Sequence, residues 1–134
     1  MPEYSGRCLC GSVAFKATGE SARADACHCS MCRRWSGHYW ASVNVTAADL
    51  RIVRGEENVG WFRSSEEVSR GFCKSCGSAL FWRPDRHPDY SHLISISAGS
   101  LDAPTGVRLT KHIFVGSKGD YYDIADGLPR HEAY

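Results

Sequence analysis

Cys27-His28-Cys29-Ser30-Met31-Cys32 holds three cysteines, and two further clusters, Cys8-Leu9-Cys10 and Cys73-Lys74-Ser75-Cys76, hold the other four. Thiolates are soft ligands that favour zinc over magnesium or calcium. Four thiolates close a tetrahedron around a zinc ion, whereas three leave one coordination position for water or a substrate thiol. The seven cysteines of the chain therefore predict two zinc ions, one in a closed site and one in an open site.

The spacing within each cluster suits metal binding. Side chains two positions apart in a strand face the same way, so each Cys-x-Cys pair can bind one metal ion. Cys73 and Cys76 are followed by Gly77, which is the composition of a tight turn around two sulfur atoms. Sequence separation does not determine spatial pairing, so either Cys-x-Cys pair could join the Cys-x-x-Cys pair.

Length, composition and charge indicate the number of domains, the partners and the cellular compartment. A chain of 134 residues with 43% hydrophobic content is long enough for one ordinary core, so we expect a single domain over residues 1–134. Sixteen basic and fifteen acidic side chains are evenly spread, which argues against binding nucleic acid. No segment has the length and hydropathy of a signal peptide or a membrane span, so we expect a cytoplasmic protein without a membrane partner. In that reducing compartment clustered cysteines bind metal rather than form disulfides.

Short runs of alternating apolar residues recur between Gly, Pro, Asp and Ser. This alternation predicts strands around residues 13–15, 39–45, 72, 79–81, 93–96 and 113–115. Residues 46–50 and 29–35 are each expected to form a helical turn, and the tail of residues 121–134 is expected to pack on the body. The pattern therefore predicts a mainly β fold of short strands.

The open metal site has a competing interpretation. One of His28, His38, His92 or His112 could complete the second tetrahedron, so that both zinc ions would only stabilise a small sheet. His28 lies between two ligands on the opposite strand face, which argues against its binding the same metal. His112 precedes apolar residues and is expected to be a buried, hydrogen-bonded histidine.

Several segments together resemble one known family. They are Gly6-Arg7-Cys8-Leu9-Cys10-Gly11-Ser12-Val13, Cys27-His28-Cys29-Ser30-Met31-Cys32-Arg33-Arg34-Trp35-Ser36-Gly37, Phe72-Cys73-Lys74-Ser75-Cys76-Gly77-Ser78, His112-Ile113-Phe114-Val115 and Ile124-Ala125-Asp126-Gly127-Leu128-Pro129. They resemble the glutathione-dependent formaldehyde-activating enzyme family, in particular its short members and the related centromere protein V domain. The resemblance spans residues 6–129 and implies a zinc-stabilised β-tent domain of short antiparallel strands.

The resemblance also implies which cysteines act together. It assigns four to a structural zinc ion, Cys8, Cys10, Cys73 and Cys76. It assigns three to a catalytic zinc ion with an open fourth position, Cys27, Cys29 and Cys32. The implied reaction combines glutathione reversibly with formaldehyde, or a similar small aldehyde, to give S-(hydroxymethyl)glutathione, which is carbon–sulfur lyase chemistry in the reverse direction.

Five residues after the middle cluster are candidate substrate contacts. Arg33 and Arg34 are expected to bind the carboxylates of glutathione, because guanidinium binds carboxylate in a two-pronged geometry. Trp35, Ser36 and Gly37 are expected to form one wall of the pocket. Two other functions stay open: a protein that binds glutathione or another thiol without turning it over, and a structural zinc protein. The sequence contains no interface pattern that predicts an oligomeric state.

Overall fold

The protein, described here over all 134 residues by a computed structural model, contains ten strands, one α-helix and four single-turn 3₁₀ helices. The strands are β1 (Glu3–Arg7), β2 (Ala14–Thr18), β3 (Arg23–Cys27), β4 (Trp40–Thr46), β5 (Leu50–Arg54), β6 (Val59–Arg63), β7 (Ser69–Cys73), β8 (Ala79–Arg83), β9 (Leu93–Ser97) and β10 (Arg108–Ile113). Helix α1 is Ser30–Ser36, and the 3₁₀ helices are Ala47–Asp49, Glu56–Asn58, Ala98–Ser100 and Val115–Ser117. The prediction of a mainly β fold built from short strands is confirmed.

The strands form two sheets. The small sheet has the order β1-β2-β5, and the large sheet has the order β10-β3-β4-β9-β8-β7-β6. Neighbouring strands are antiparallel throughout, except that β10 runs parallel to β3. A parallel pair needs a long crossover connection, and here the chain from β4 to β9 provides it. The prediction of antiparallel strands is therefore correct apart from this one pair.

The hydrophobic core lies between the sheets because the large sheet is apolar on one face. Val43 and Val45 of β4 and Ile96 of β9 are buried on that face. Phe15 of the small sheet meets Phe81 of β8 edge to face, with ring centroids 5.4 Å apart. Alternate residues of the same strands point to the opposite face of the large sheet, where the candidate site lies.

The predicted strands differ from the structure in two respects. Strands β1, β3, β5 and β6 were not predicted. Val115 begins a 3₁₀ helix instead of ending a strand, because the preceding Phe114 adopts a left-handed conformation with φ of 56°. The turns expected over residues 46–50 and 29–35 are confirmed as a 3₁₀ helix and as α1.

The expectation that the Cys-x-Cys pairs lie within strands is wrong. Cys8 and Cys10 lie in a tight turn after β1, where the Gly11 N–H donates to the Cys8 carbonyl at 3.1 Å. Cys27 is the last residue of β3, and Cys29 is the N-cap of α1. At both places the chain leaves a strand and enters a turn, and the turn brings the sulfur atoms together.

The C-terminal arm, residues 121–134, packs on the body as expected. It lies beside β10, where the His112 N–H donates to the Pro129 carbonyl and the His131 N–H donates to the His112 carbonyl, both at 2.9 Å. The Phe114 N–H donates to the Ala133 carbonyl at 2.7 Å. The only α-helix has seven residues, and none of the helices has the length and hydropathy of a membrane span.

Candidate metal centres and substrate cavity

The four-cysteine cluster consists of Cys8, Cys10, Cys73 and Cys76, which the fold brings together from the turn after β1 and the turn after β7. The Cys10 sulfur lies 3.7 Å from that of Cys8 and 3.8 Å from that of Cys73. A tetrahedral zinc ion with Zn–S bonds of about 2.3 Å separates its sulfur ligands by about 3.8 Å. The spacing of these sulfur atoms therefore fits a closed zinc site.

Hydrogen bonds around this cluster favour the thiolate form that a metal needs. The Val13 N–H donates to the Cys8 sulfur at 3.3 Å, and the Cys76 N–H donates to the Cys73 sulfur at 3.4 Å. A hydrogen bond from the Ser78 side chain lowers the pKa of Cys76 to about 5. Bonds of this kind stabilise the charged form of a sulfur ligand.

The three-cysteine cluster consists of Cys27, Cys29 and Cys32, contributed by the end of β3 and the first turn of α1. The Cys32 N–H donates to the Cys29 sulfur at 3.3 Å, so the helix cap fixes the position of that sulfur. All three sulfur atoms lie within 4.8 Å of one another, and no His, Asp or Glu joins them. The donor set fits a zinc ion with one position left for another ligand.

The three sulfur atoms lie close enough to shift one another's pKa. Contact first with Cys27 and then with Cys32 holds the pKa of Cys29 well below its ordinary value. The pKa of Cys27 is raised by the sulfur atoms of Cys29 and Cys32 and by burial. A divalent cation that binds here would displace the protons of all three thiols.

Arg70 on β7 places a positive charge beside this cluster. Its side chain is 3% exposed, its guanidinium lies 5.0 Å from the ring centroid of Trp35, and its Nη1 donates to the Cys32 sulfur at 3.5 Å. Its Nε donates to the Ser64 hydroxyl at 3.1 Å, and no carboxylate forms an ion pair with it. A buried charge is costly without a partner of opposite sign, and ionised sulfur atoms of this cluster would supply one.

Behind the cluster, four side chains form a hydrogen-bonded chain. The Asp126 carboxylate accepts from His112 Nε2 at 2.8 Å, the two imidazoles of His112 and His28 are joined at 2.8 Å, and His28 Nδ1 accepts from the Tyr122 hydroxyl. Burial, followed by the charges of neighbouring groups, lowers the pKa of His28 to about 4, so this imidazole is neutral at pH 7. The chain ties the C-terminal arm to the Cys27-His28-Cys29 segment, and it confirms that His112 is buried and hydrogen-bonded.

The three-cysteine cluster opens on a cavity of 210 Å³ on the outer face of the large sheet. Its lining includes all three cysteines together with Arg70 and Asp25. Its walls include five aromatic side chains, Trp40, Trp82, Tyr90, Phe114 and Tyr134. The cavity is thus continuous with the open coordination position that three thiolates would leave on a metal ion.

The five predicted substrate contacts lie on and after α1, and none of them lines this cavity. Arg33 donates to the Ser117 carbonyl at 3.3 Å, and Arg34 is exposed. Trp35 lies beneath Arg70, Ser36 donates to the Cys32 carbonyl at 2.8 Å, and Gly37 is the left-handed C-cap of α1. Their contact with substrate stays a prediction.

The cavity contains residues that sequence reasoning missed, chiefly Arg70, Asp25, Trp40 and Trp82. They come from β7, β3, β4 and β8, and no motif connects them along the chain. The one local signal is that Arg70 lies in the strand leading to the Cys-x-x-Cys turn, where a buried arginine suggests a buried anion.

Taken together, the two sheets and the two sulfur clusters define a small mainly β protein whose cysteine clusters could hold metal ions. Residues 3–117 match the model of a family described as glutathione-dependent formaldehyde-activating enzyme, and the chain belongs to this family. The membership predicted from the cysteine segments is confirmed.

Two relatives are similar to this chain in sequence, and one solved structure is similar to it in fold. An uncharacterized lyase of Schizosaccharomyces pombe is 31% identical over 126 residues, which cover 94% of this chain and 88% of that protein. A putative glutathione-dependent formaldehyde-activating enzyme of Colletotrichum graminicola is 30% identical over 103 residues, 69% of this chain and 54% of that protein. The chain thus spans about half the length of that relative. A crystal structure of a Rhodobacter sphaeroides protein shares the fold, with a TM-score of 0.63 at 21% identity, covering 95% of this chain and 98% of the other.

Proposed function

We propose that this protein is a zinc-dependent carbon–sulfur lyase that combines a thiol, with glutathione the expected one, reversibly with formaldehyde or a similar small aldehyde. The family to which the chain belongs and the lyase name of a relative with similar length support this reaction class. The proposal includes two zinc ions per chain and a cytoplasmic setting, in which the thiols stay reduced.

The observation that carries the proposal is the three-cysteine cluster without a fourth protein ligand, opening on a cavity. A structural zinc site is closed by four protein ligands, whereas a catalytic site keeps one position for a substrate or water. The four-cysteine cluster is the closed site and the three-cysteine cluster is the open one. This difference favours chemistry over a purely structural role at the second site.

The chain's own residues have distinct roles in this proposal. A zinc ion held by Cys27, Cys29 and Cys32 would supply a fourth position at which an incoming thiol is held as its nucleophilic thiolate. Arg70 offsets the negative charge of the cluster from inside the cavity wall. The exposed Arg34 is a candidate for a carboxylate of glutathione that stays outside the cavity.

Replacing one sulfur ligand tests the proposal. We expect Cys29→Ser to lower the zinc content from two ions to one per chain and to reduce hemithioacetal formation to the uncatalysed background rate. The matched control is Ser30→Ala, which removes a polar atom from the neighbouring exposed residue and keeps all three sulfur ligands. Zinc is measured by mass spectrometry and the rate by NMR of the adduct, with circular dichroism to confirm folding.

The outcome also separates an enzyme from a carrier. A wild-type protein that binds glutathione at the second zinc site but never exceeds the background rate is a thiol carrier, and the proposed lyase activity is then wrong. Full activity of Cys29→Ser with only one zinc ion bound would likewise contradict the proposal.

A further inference from the structure

The cavity above the three-cysteine cluster is mainly apolar. Apart from the three cysteines, ten of its lining residues are apolar or aromatic, among them Trp40, Trp82, Tyr90, Phe114 and Tyr134, and seven are polar or charged. The ring planes of Tyr90 and Tyr134 are within 8° of parallel, with centroids 6.1 Å apart. Aromatic side chains stabilise a bound apolar group because the surface of the group and the surface of the rings are both removed from water.

The charged groups of the cavity are few and are poorly suited to a charged tripeptide. Glutathione carries two carboxylates and one ammonium group, whereas Arg70 is the only basic residue of the lining and already donates to Cys32 and Ser64. The one acidic residue is Asp25, and five neutral polar side chains complete the polar lining, Ser42, Asn44, Ser64, Ser65 and Ser95. None of these five carries a charge that would balance a carboxylate or an ammonium group of glutathione taken out of water, which is unfavourable. The charged body of such a thiol therefore belongs outside the cavity.

The volume of the cavity also indicates that a whole glutathione molecule does not fit inside it. At 210 Å³ the cavity is smaller than the roughly 300–1,000 Å³ of pockets that enclose a whole drug-sized ligand. It is also far larger than formaldehyde requires. Formaldehyde carries only two hydrogen atoms on its carbonyl carbon, so most of the aromatic side chains would have no van der Waals contact with it. The cavity has room for one ring or one branched chain next to the sulfur cluster.

We propose that the hemithioacetal handled at this site carries an aromatic or branched aliphatic group, which occupies the cavity formed by Trp40, Trp82 and Tyr90. This inference rests on the proposed carbon–sulfur lyase function and names its substrate class. The apolar group comes either from the aldehyde or from the thiol. Formaldehyde with glutathione is then turned over more slowly by this protein than a pair that carries such a group.

The reaction itself is a balanced addition. The thiol sulfur forms a bond to the carbonyl carbon, the π electrons of the C=O bond move to oxygen, and that oxygen takes up the proton released by the thiol. No oxidant or reductant is consumed.

Three substrate pairs test the substrate class on the full-length, zinc-loaded protein. They are glutathione with formaldehyde, glutathione with phenylacetaldehyde, and benzyl mercaptan with formaldehyde. We expect kcat/KM, corrected for background, to be about tenfold or more higher for one of the two apolar pairs, which is the discrimination that one or two buried methylene groups supply. The faster apolar pair identifies whether the aldehyde or the thiol contributes the group. Equal or higher kcat/KM for glutathione with formaldehyde overturns the inference.

Binding measurements separate this inference from the proposed function. Each thiol and each preformed hemithioacetal is titrated calorimetrically against the same protein. Tighter binding of the benzyl-containing compounds without turnover of any pair supports the apolar site and contradicts the lyase activity. Turnover with equal binding of all compounds contradicts the apolar site and supports the lyase activity.

Substituting a tryptophan that lines the cavity tests whether the cavity causes the preference for apolar substrate pairs. Trp82→Ala is expected to lower kcat/KM for the apolar pair about tenfold more than for glutathione with formaldehyde, because it removes a ring that contacts only the larger group. Trp61→Ala is the matched control, since Trp61 lies on β6 outside the cavity, and it should not change the ratio between pairs. Trp82→Phe keeps an aromatic wall and should retain most of the preference. A ratio that Trp82→Ala leaves unchanged, or that both alanine variants change equally, contradicts the inference.

Discussion

At the residue scale, Arg70 is the side chain whose environment most needs an explanation. Its guanidinium is buried against Trp35, contacts the Cys32 sulfur and pairs with no carboxylate. A cation in this position is stabilised only if the sulfur cluster is negatively charged. A zinc ion with three thiolates carries one net negative charge, which Arg70 can balance.

We expect Arg70→Met to weaken metal binding at the three-cysteine cluster by about 10- to 100-fold, the usual effect of removing a group that supports metal ligands. Arg70→Lys should recover part of the affinity, because it keeps the charge. Arg83→Met is the control, since Arg83 also stacks on a tryptophan, Trp61 at 3.9 Å, but lies outside the cavity lining. Competition with a chromophoric chelator measures the affinity, and thiolate-to-cobalt charge-transfer bands of cobalt-loaded protein report on the site. The assigned role of Arg70 is wrong if Arg70→Met and Arg83→Met weaken binding equally.

At the element scale, the C-terminal arm is joined to β3 and β10 by the buried chain of Tyr122, His28, His112 and Asp126. Each buried imidazole nitrogen in this chain has a partner, so the removal of one end leaves a polar atom unpaired. An unpaired buried acceptor is much less favourable than the loss of an exposed hydrogen bond.

Tyr122→Phe is therefore expected to lower the free energy of unfolding by about 1–3 kcal/mol, since His28 Nδ1 loses its donor. Tyr121→Phe is a matched control, because the neighbouring hydroxyl bonds to the exposed His38 at 2.8 Å and its loss should cost less than about 1 kcal/mol. Urea titration of the zinc-loaded protein measures both values at an unchanged m-value. Equal effects of the two variants would mean that the buried chain does not anchor the arm.

At the scale of the whole molecule, the four-cysteine cluster connects the two sheets. Cys8 and Cys10 follow β1 of the small sheet, whereas Cys73 and Cys76 belong to the end of β7 in the large sheet. The three-cysteine cluster draws only on β3 and the adjoining α1. The four-cysteine cluster therefore takes its sulfur atoms from both sheets, whereas the three-cysteine cluster takes them from the large sheet and α1 alone.

We expect Cys73→Ser to prevent stable folding and Cys29→Ser to leave the fold intact. Structural zinc contributes about 10–16 kcal/mol in small zinc domains, which matches or exceeds the roughly 5–15 kcal/mol stability of a typical protein. Thermal unfolding followed by circular dichroism, with zinc content measured on the same samples, compares the two variants. If both unfold to the same extent, the three-cysteine cluster also has a structural role.

Local patterns were sufficient to predict the strands of the core and the cysteine clusters. Alternation in β4 and β9 reflects burial on one face of a sheet, and it is visible within a few residues. The turns at Cys8–Cys10 and the parallel pairing of β10 with β3 were not predicted, because both depend on partners distant in sequence. The role of Arg70 was not predicted for the same reason, since Arg70 contacts Cys32, which is 38 positions away in the sequence.

The amino-acid sequence by itself determined the family, the mainly β fold and the two groups of sulfur donors, because ligand type and side-chain periodicity are local properties of the chain. Only the tertiary structure decided which walls surround the open cluster. Six strands of the large sheet, β3, β4, β7, β8, β9 and β10, each contribute one to three side chains to that cavity, and their positions depend on the order of strands in the sheet. Its apolar character follows from pairings between distant segments, which no single stretch of sequence contains.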